Sequence, residues 1–154
     1  MPAYRNVDGD LLDATEQYIV HQANCITQRA AGLAAAIFKR FPHADFYTGR
    51  IDPDLPGTIR IDGAPGTDLR AVIALFGQLH PGRPWPADPH AAREGFFKSG
   101  LEKIAVIPDI ESVALPHGIG CGLAGGYWPG YEAMIDAFAR QHPHIDVALY
   151  RKHD

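Results

Sequence analysis

The run Pro116-His117-Gly118-Ile119-Gly120-Cys121-Gly122-Leu123-Ala124-Gly125-Gly126-Tyr127-Trp128 places five glycines within nine residues. Glycine lets the backbone approach a ligand closely, and several N–H groups in such a loop can converge on one anion. A following helix adds the positive end of its dipole. The ligand class that this arrangement favours is a phosphate or diphosphate. A tight turn would call for one or two glycines rather than five, so anion binding is the stronger reading. Cys121 lies inside the run and has two readings, a thiol acidified by the start of a helix or a small side chain fitted between glycines. The second is the simpler.

Three more groups stand where apolar runs turn polar. Asn24 closes Tyr18-Ile19-Val20-His21-Gln22-Ala23-Asn24, and Gln78 and His80 follow the apolar run Arg70-Ala71-Val72-Ile73-Ala74-Leu75-Phe76. Open α/β sheets bind ligands beyond the carboxyl ends of their strands. Asn24 is therefore read equally as a ligand contact and as a turn former. Asn24 and Gln78 suit the positioning of water or a substrate hydroxyl. His80 is a candidate general base near neutral pH, with His117 the other imidazole at a strand end. Lone histidines more often serve packing or the surface. Cys25 reads as buried and inert, and neither cysteine has metal-ligand spacing, so no metal and no cofactor are expected.

The elements that must position these groups follow from periodicity. Short apolar, β-leaning runs near residues 18, 58, 71, 113 and 147 read as strands, the second being Gly57-Thr58-Ile59-Arg60-Ile61. Val7-Asp8-Gly9-Asp10-Leu11-Leu12 reads as a strand end. Helices are expected near 33, 90 and 131. The first carries a Leu33, Ile37 and Phe41 stripe and the third has Pro129 in its first turn. Asp62-Gly63 suggests a hairpin into the central strand. Gly32 opening the first helix repeats the strand, loop, glycine, helix order of the glycine run, so two helix starts could face one diphosphate. Pro81-Gly82-Arg83-Pro84-Trp85-Pro86 is too proline-rich for regular structure and reads as a loop beside the site. Strands alternating with helices predict a three-layer αβα sandwich with a central mixed sheet, as one domain over 1–154.

Gly120-Cys121-Gly122-Leu123-Ala124-Gly125 also satisfies G-x-G-x-x-G. A dinucleotide-binding domain needs that fingerprint early in a long chain, with an acid closing the next strand. Here one helix and one strand remain, and Asp146 opens that strand, so this reading is rejected. The 154 residues are 46% hydrophobic and 21% charged, with a formal net charge of −4 at pH 7 and a pI near 6.0. That composition is globular and speaks against non-specific nucleic-acid binding. No apolar leader or span is seen, so a cytoplasmic, membrane-free monomer is expected.

Taken together, the order of Gly9-Asp10-Leu11-Leu12, Ala23-Asn24-Cys25 leading to Gly32-Leu33-Ala34, Phe38-Lys39-Arg40-Phe41-Pro42, Ile119-Gly120-Cys121-Gly122-Leu123 and a final strand with Tyr150 resembles the macrodomain family. The likeness is to the branch of the terminal ADP-ribose protein glycohydrolase and the DNA de-ADP-ribosylating antitoxins. It implies an ADP-ribose cleft at the crest of a mixed sheet. Asp10 would accept from the adenine amino group, the Leu11 backbone would address the ring and Tyr150 would pack on it. Asn24 would lie by the distal ribose, Ala31 and Gly32 beside it, and Gly120, Cys121, Gly122, Leu123, Ala124 and Gly125 would hold the diphosphate. The branch's nucleophilic lysine and assisting acid are missing, because their places hold Phe76-Gly77 and Ala124; Ala30 replaces an earlier loop glycine. A Schiff-base route is therefore not implied. The expectation is an ADP-ribose-binding domain that hydrolyses an ADP-ribosyl linkage or ADP-ribose 1″-phosphate through activated water. The alternatives are a non-catalytic reader and a sensor of another nucleotide metabolite.

Overall fold

The computed structural model describes residues 1–152. Six strands and three helices alternate along it: β1 (Arg5–Asp8), β2 (Tyr18–Asn24), α1 (Gly32–Arg40), β3 (Ile59–Asp62), β4 (Val72–Gln78), α2 (His90–Ala105), β5 (Ser112–Pro116), α3 (Trp128–Gln141) and β6 (Asp146–Arg151). They form one sheet in the order β1-β6-β5-β2-β4-β3. All neighbours are parallel except β3 and β4, so the sheet is mixed, as expected. Every parallel strand ends on the same edge, which brings Asp8, Arg151, Pro116, Asn24 and Gln78 to one crest.

Side chains alternate faces along each strand, and that alternation assigns the layers. Val20, Ile73, Leu75, Val113, Leu115, Val147 and Leu149 pack with Phe97, Leu101, Ile135 and Phe138 of α2 and α3. Ile19, Val72, Ala74, Phe76 and Ala114 pack on the other face with Ala34, Ile37 and Phe38 of α1. The result is three layers. Near-continuous apolar runs in β2 and β4 fit strands covered on both faces.

The structure refines three local expectations. Arg5–Asp8 is a full strand, with mostly exposed side chains, that pairs with β6 at the sheet edge; it lacks an apolar run because only one of its edges and little of its face are covered. The hairpin from Asp62-Gly63 into the central strand is present, β3 and β4 pairing antiparallel, but its loop runs over residues 63–71. In α1 the buried positions are Ala34, Ile37 and Phe38, while Leu33 is 37% exposed. Leu33 therefore lies off the core face of the helix.

His21 sits on the α1 face of β2, 1% exposed, with Phe38 edge-on at 5.6 Å and no hydrogen-bond partner for either ring nitrogen. Burial pushes its pKa down from 6.5 to about 4. The unfolded chain binds a proton on this residue from about pH 6.5, whereas the folded chain resists until about 4. Stability therefore falls as pH drops through that window, by about 3 kcal/mol in all at about 1.4 kcal/mol per unit. Urea unfolding of wild type and His21→Leu at pH 7 and pH 4.5 tests this, and the variant should lose markedly less stability between the two. Equal losses would show that His21 does not titrate in this range.

Candidate functional site

A cavity of about 550 Å³ opens at the crest above β5, β2 and β4. One wall is the start of α1, where Ala31, Gly32, Leu33 and Ala34 line the cavity. Ala31 occupies the cap position without a side-chain cap bond, so the first-turn N–H groups are left for a ligand. Facing it, Gly118, Ile119, Gly120, Gly122, Leu123 and Ala124 form the opposite wall. The two walls meet where Leu123 comes within 3.1 Å of the space a Cβ at Gly32 would fill.

The glycines of this second wall have separate reasons. Gly120 has φ +77, and a Cβ there would lie 2.9 Å from the Tyr131 ring. Only glycine meets both demands. Cys121 and Gly125 are not on the cavity wall. Cys121 packs on the core side, its thiol donating to the Ile119 carbonyl at 3.4 Å, and burial followed by the nearby Glu94 pushes its pKa up to about 11. The acidified-thiol reading of Cys121 is thus corrected: α3 begins only at Trp128, and no helix end acts on the sulfur. Gly125 lies against Arg83. The start of α3 does not line the cavity, so one helix start faces it rather than two.

The base of the cavity is built from amides. Asn24 is 7% exposed, and its Oδ1 accepts from the N–H groups of Ile26 (3.1 Å) and Thr27 (2.9 Å). It therefore forms the turn and lines the cavity at once. Gln78 Nε2 donates to the His80 carbonyl at 2.8 Å, and its Oε1 accepts from Gln22 Nε2 at 2.8 Å. Gln78 reaches the cavity wall with both ends of its amide engaged. His80 stacks on Trp85 at 4.5 Å and 12° and is not on the wall, whereas His117 is, its ring 4.6 Å from Trp128. Cys25 is fully buried, and burial raises its pKa to about 12.

Asp10, Leu11 and Tyr150 lie outside this cavity, beyond His117, at the ends of β1 and β6. The His117 N–H donates to the Tyr150 carbonyl at 2.8 Å, which joins the two regions. Asp10 Oδ1 accepts from Leu12 N–H at 2.9 Å, and that bond, reinforced by Lys152 at 3.4 Å, outweighs burial and holds the carboxyl below its ordinary range. Leu11 is buried. Tyr150 donates to Glu16 at 2.7 Å, and its ring comes within 3.9 Å of the space above Gly9.

A buried ion pair that the sequence analysis missed ties the loops together. Arg93 on α2 is 1% exposed and Asp88 fully buried. Arg93 donates to Asp88 Oδ2 through Nε (3.0 Å) and Nη2 (2.8 Å). Its other bonds reach the carbonyls of His80 (3.1 Å), Gly82 (2.6 Å), Arg83 (3.3 Å) and Ala124 (3.2 Å). One guanidinium thus links the proline-rich loop to the glycine-rich wall. An arginine inside an amphipathic pattern reads as a surface charge in sequence, and only the proximity of two distant loops shows otherwise.

No family model matches the chain, and no curated protein does. Solved structures do. The macrodomain of Mycobacterium tuberculosis DarG aligns over 96% of this chain and 96% of its own at TM-score 0.76 and 23% identity. The macrodomain of Thermus aquaticus DarG covers 96% and 97% at TM-score 0.73 and 23% identity. The Trypanosoma brucei macrodomain solved in complex with ADP-ribose covers 96% of this chain and 62% of its own, at TM-score 0.68 and 16% identity. The fold is that of the macrodomains.

At the place where the resemblance puts a lysine, this chain has Phe76-Gly77. A Cβ at Gly77 would run into the Gln22 side-chain amide, itself fixed by Gln78. Ala124 is buried, with its carbonyl held by Arg93. None of the chain's lysines lines the cavity.

The Arg93 geometry yields a stability prediction. Arg93→Met leaves Asp88 buried without its cation and should lower unfolding free energy by about 3–5 kcal/mol, as for other broken buried pairs. Urea denaturation measures it, and a loss below about 1 kcal/mol would contradict the hub role.

Proposed function

We propose that this macrodomain binds ADP-ribose along its crest. The observation that carries the reading is the uncapped α1 start facing the glycine-rich wall across a cavity of about 550 Å³. Two sets of backbone N–H groups there suit a diphosphate, which needs donors more than formal charge. The Trypanosoma brucei macrodomain and Thermosipho africanus DarTG, both of which align with this chain, were solved in complex with ADP-ribose. In this placement Asp10 accepts from the adenine amino group, the Leu11 backbone meets the ring and Tyr150 packs on its face. Ala31, Gly32, Gly120, Gly122, Leu123 and Ala124 enclose the diphosphate, with Cys121 and Gly125 shaping the loop from behind. Asn24 then stands by the distal ribose.

A hydrolytic reading has one observation in its favour. Asn24, Gln78 and His117 share the cavity wall, so a water held near the distal ribose would have amide and imidazole neighbours. The route is water-mediated and lysine-independent. Gln78 acts through Gln22 and the His80 carbonyl rather than directly, and His117 replaces His80 as the candidate base.

Calorimetry tests the binding. Asp10→Ala should weaken ADP-ribose affinity by about 1.5–3 kcal/mol, roughly 10- to 150-fold, and an unchanged Kd would remove the adenine assignment. For turnover, wild type is incubated with ADP-ribosylated protein, ADP-ribosylated DNA and ADP-ribose 1″-phosphate. Release of ADP-ribose that His117→Phe abolishes supports the hydrolase, while binding without release leaves a reader.

A further inference from the structure

Tyr47, in the segment between α1 and β3, carries none of the roles given so far, yet it lines the cavity beside Asn24 and is 3% exposed. Its hydroxyl oxygen accepts the Asn24 N–H at 2.9 Å. No acceptor for its own proton is found among the described residues. A buried hydroxyl with an unmade donor bond is unfavourable, and the cavity is where an acceptor can be supplied. Burial raises the phenol's pKa despite the Asn24 bond and the nearby Arg50, so it remains protonated, a donor.

Its neighbour has the same polarity. Because Asn24 Oδ1 takes two backbone N–H groups, the orientation of that amide is set and Nδ2 is the end left over. Gln78 adds no free acceptor, since its Oε1 is bonded to Gln22. Arg50 holds both residues still: its guanidinium lies 4.6 Å over the Tyr47 ring, and Nη2 donates to the Asn24 carbonyl at 3.2 Å. Phe38 and Phe46 pack edge-on against Tyr47 at 5.2 and 5.0 Å. The segment is thus a rigid mount for one hydroxyl.

We propose that Tyr47 is a specificity-determining residue, donating its hydroxyl proton, together with Asn24 Nδ2, to an acceptor oxygen at the distal end of the bound nucleotide. The pair selects ligands that continue past the diphosphate into an oxygen-bearing group such as a ribose, over ligands that stop at the diphosphate. This rests on the ADP-ribose reading above.

The test is calorimetry of wild type and Tyr47→Phe with ADP-ribose and with ADP, which lacks the distal ribose. Wild type should favour ADP-ribose. Tyr47→Phe should lose about five- to tenfold for ADP-ribose and less than about twofold for ADP, the size expected of one neutral hydrogen bond. Parallel losses for both ligands, no loss for either, or equal wild-type affinity for the two would overturn the assignment. Wild type that binds neither ligand would instead overturn the ADP-ribose reading, and this inference with it. Should Tyr47→Phe fail to fold for want of the Asn24 contact, a fluorotyrosine at position 47 keeps that contact while donating more strongly. It should raise the ADP-ribose to ADP affinity ratio, and an unchanged ratio would overturn the proposal.

Discussion

The cleft depends on a charge placed where charge is rarely found. Arg93 is buried beneath both loops that border the cavity, and it is stable there because Asp88 neutralises it and four carbonyls take its remaining N–H groups. Asp88 Oδ2 also accepts from the N–H groups of Leu79 and His80, both at 3.0 Å, while its buried Oδ1 has no hydrogen-bond partner among the described residues. Those bonds, with Arg93, outweigh the burial that would otherwise raise its pKa. Hydrophobic residues could fill the same volume, but they could not hold carbonyls from residues 80–83 and 124 in one fixed pattern. The irregular backbone on either side, too rich in proline or glycine to order itself, takes its shape from this pair.

Around that centre, hydrogen-bond saturation decides which polar groups remain for a ligand. The His80 carbonyl orients Gln78, Gln78 orients Gln22, and two backbone N–H groups orient Asn24. These bonds engage two acceptors, Gln78 Oε1 and Asn24 Oδ1. What remains on the cavity wall are the helix-start and loop N–H groups, the Arg29 side chain, the Tyr47 hydroxyl, Asn24 Nδ2 and one unpartnered acceptor, Gln22 Oε1. A surface so biased toward donors suits a ligand dense in oxygen, and it does so in a protein of net charge −4 because backbone amides carry no formal charge. Gln22 also fills the space beside Gly77, so a side chain at that position requires Gln22 to move. The side chains that line the cavity bring amides, an imidazole, a phenol and a guanidinium to it.

Much of the architecture was legible in the chain. The continuous apolar runs of β2 and β4 can only be strands covered on both faces, and β5 entering a glycine-rich run announced the wall of the cleft. The polar ends of β2 and β4 marked the crest, because a parallel arrangement sends all such ends to one edge. Asn24 could be read two ways locally; one end of its amide makes the turn, and the residue also lines the cavity. Composition fixed nothing about which polar groups would be free.

Other features needed the third dimension. Arg5–Asp8 has no apolar alternation to betray it, and it is a strand only because β6 offers an edge. Leu33 belongs to the α1 pattern in sequence but lines the cavity, because Ala34, Ile37 and Phe38 are the residues that pack on the sheet. Cys121 had two readings in sequence, and the one that put its thiol at a helix start fails because six residues separate it from α3. Arg93, Asp88, Tyr47 and Arg50 are scattered over more than forty residues and share no local signal. Periodicity reports which face of an element is buried, so the chain by itself determined strands, helices, layers and crest. Hydrogen bonds between distant loops have no period, and the tertiary structure alone decided which donors and acceptors cancel and which are left to meet a ligand.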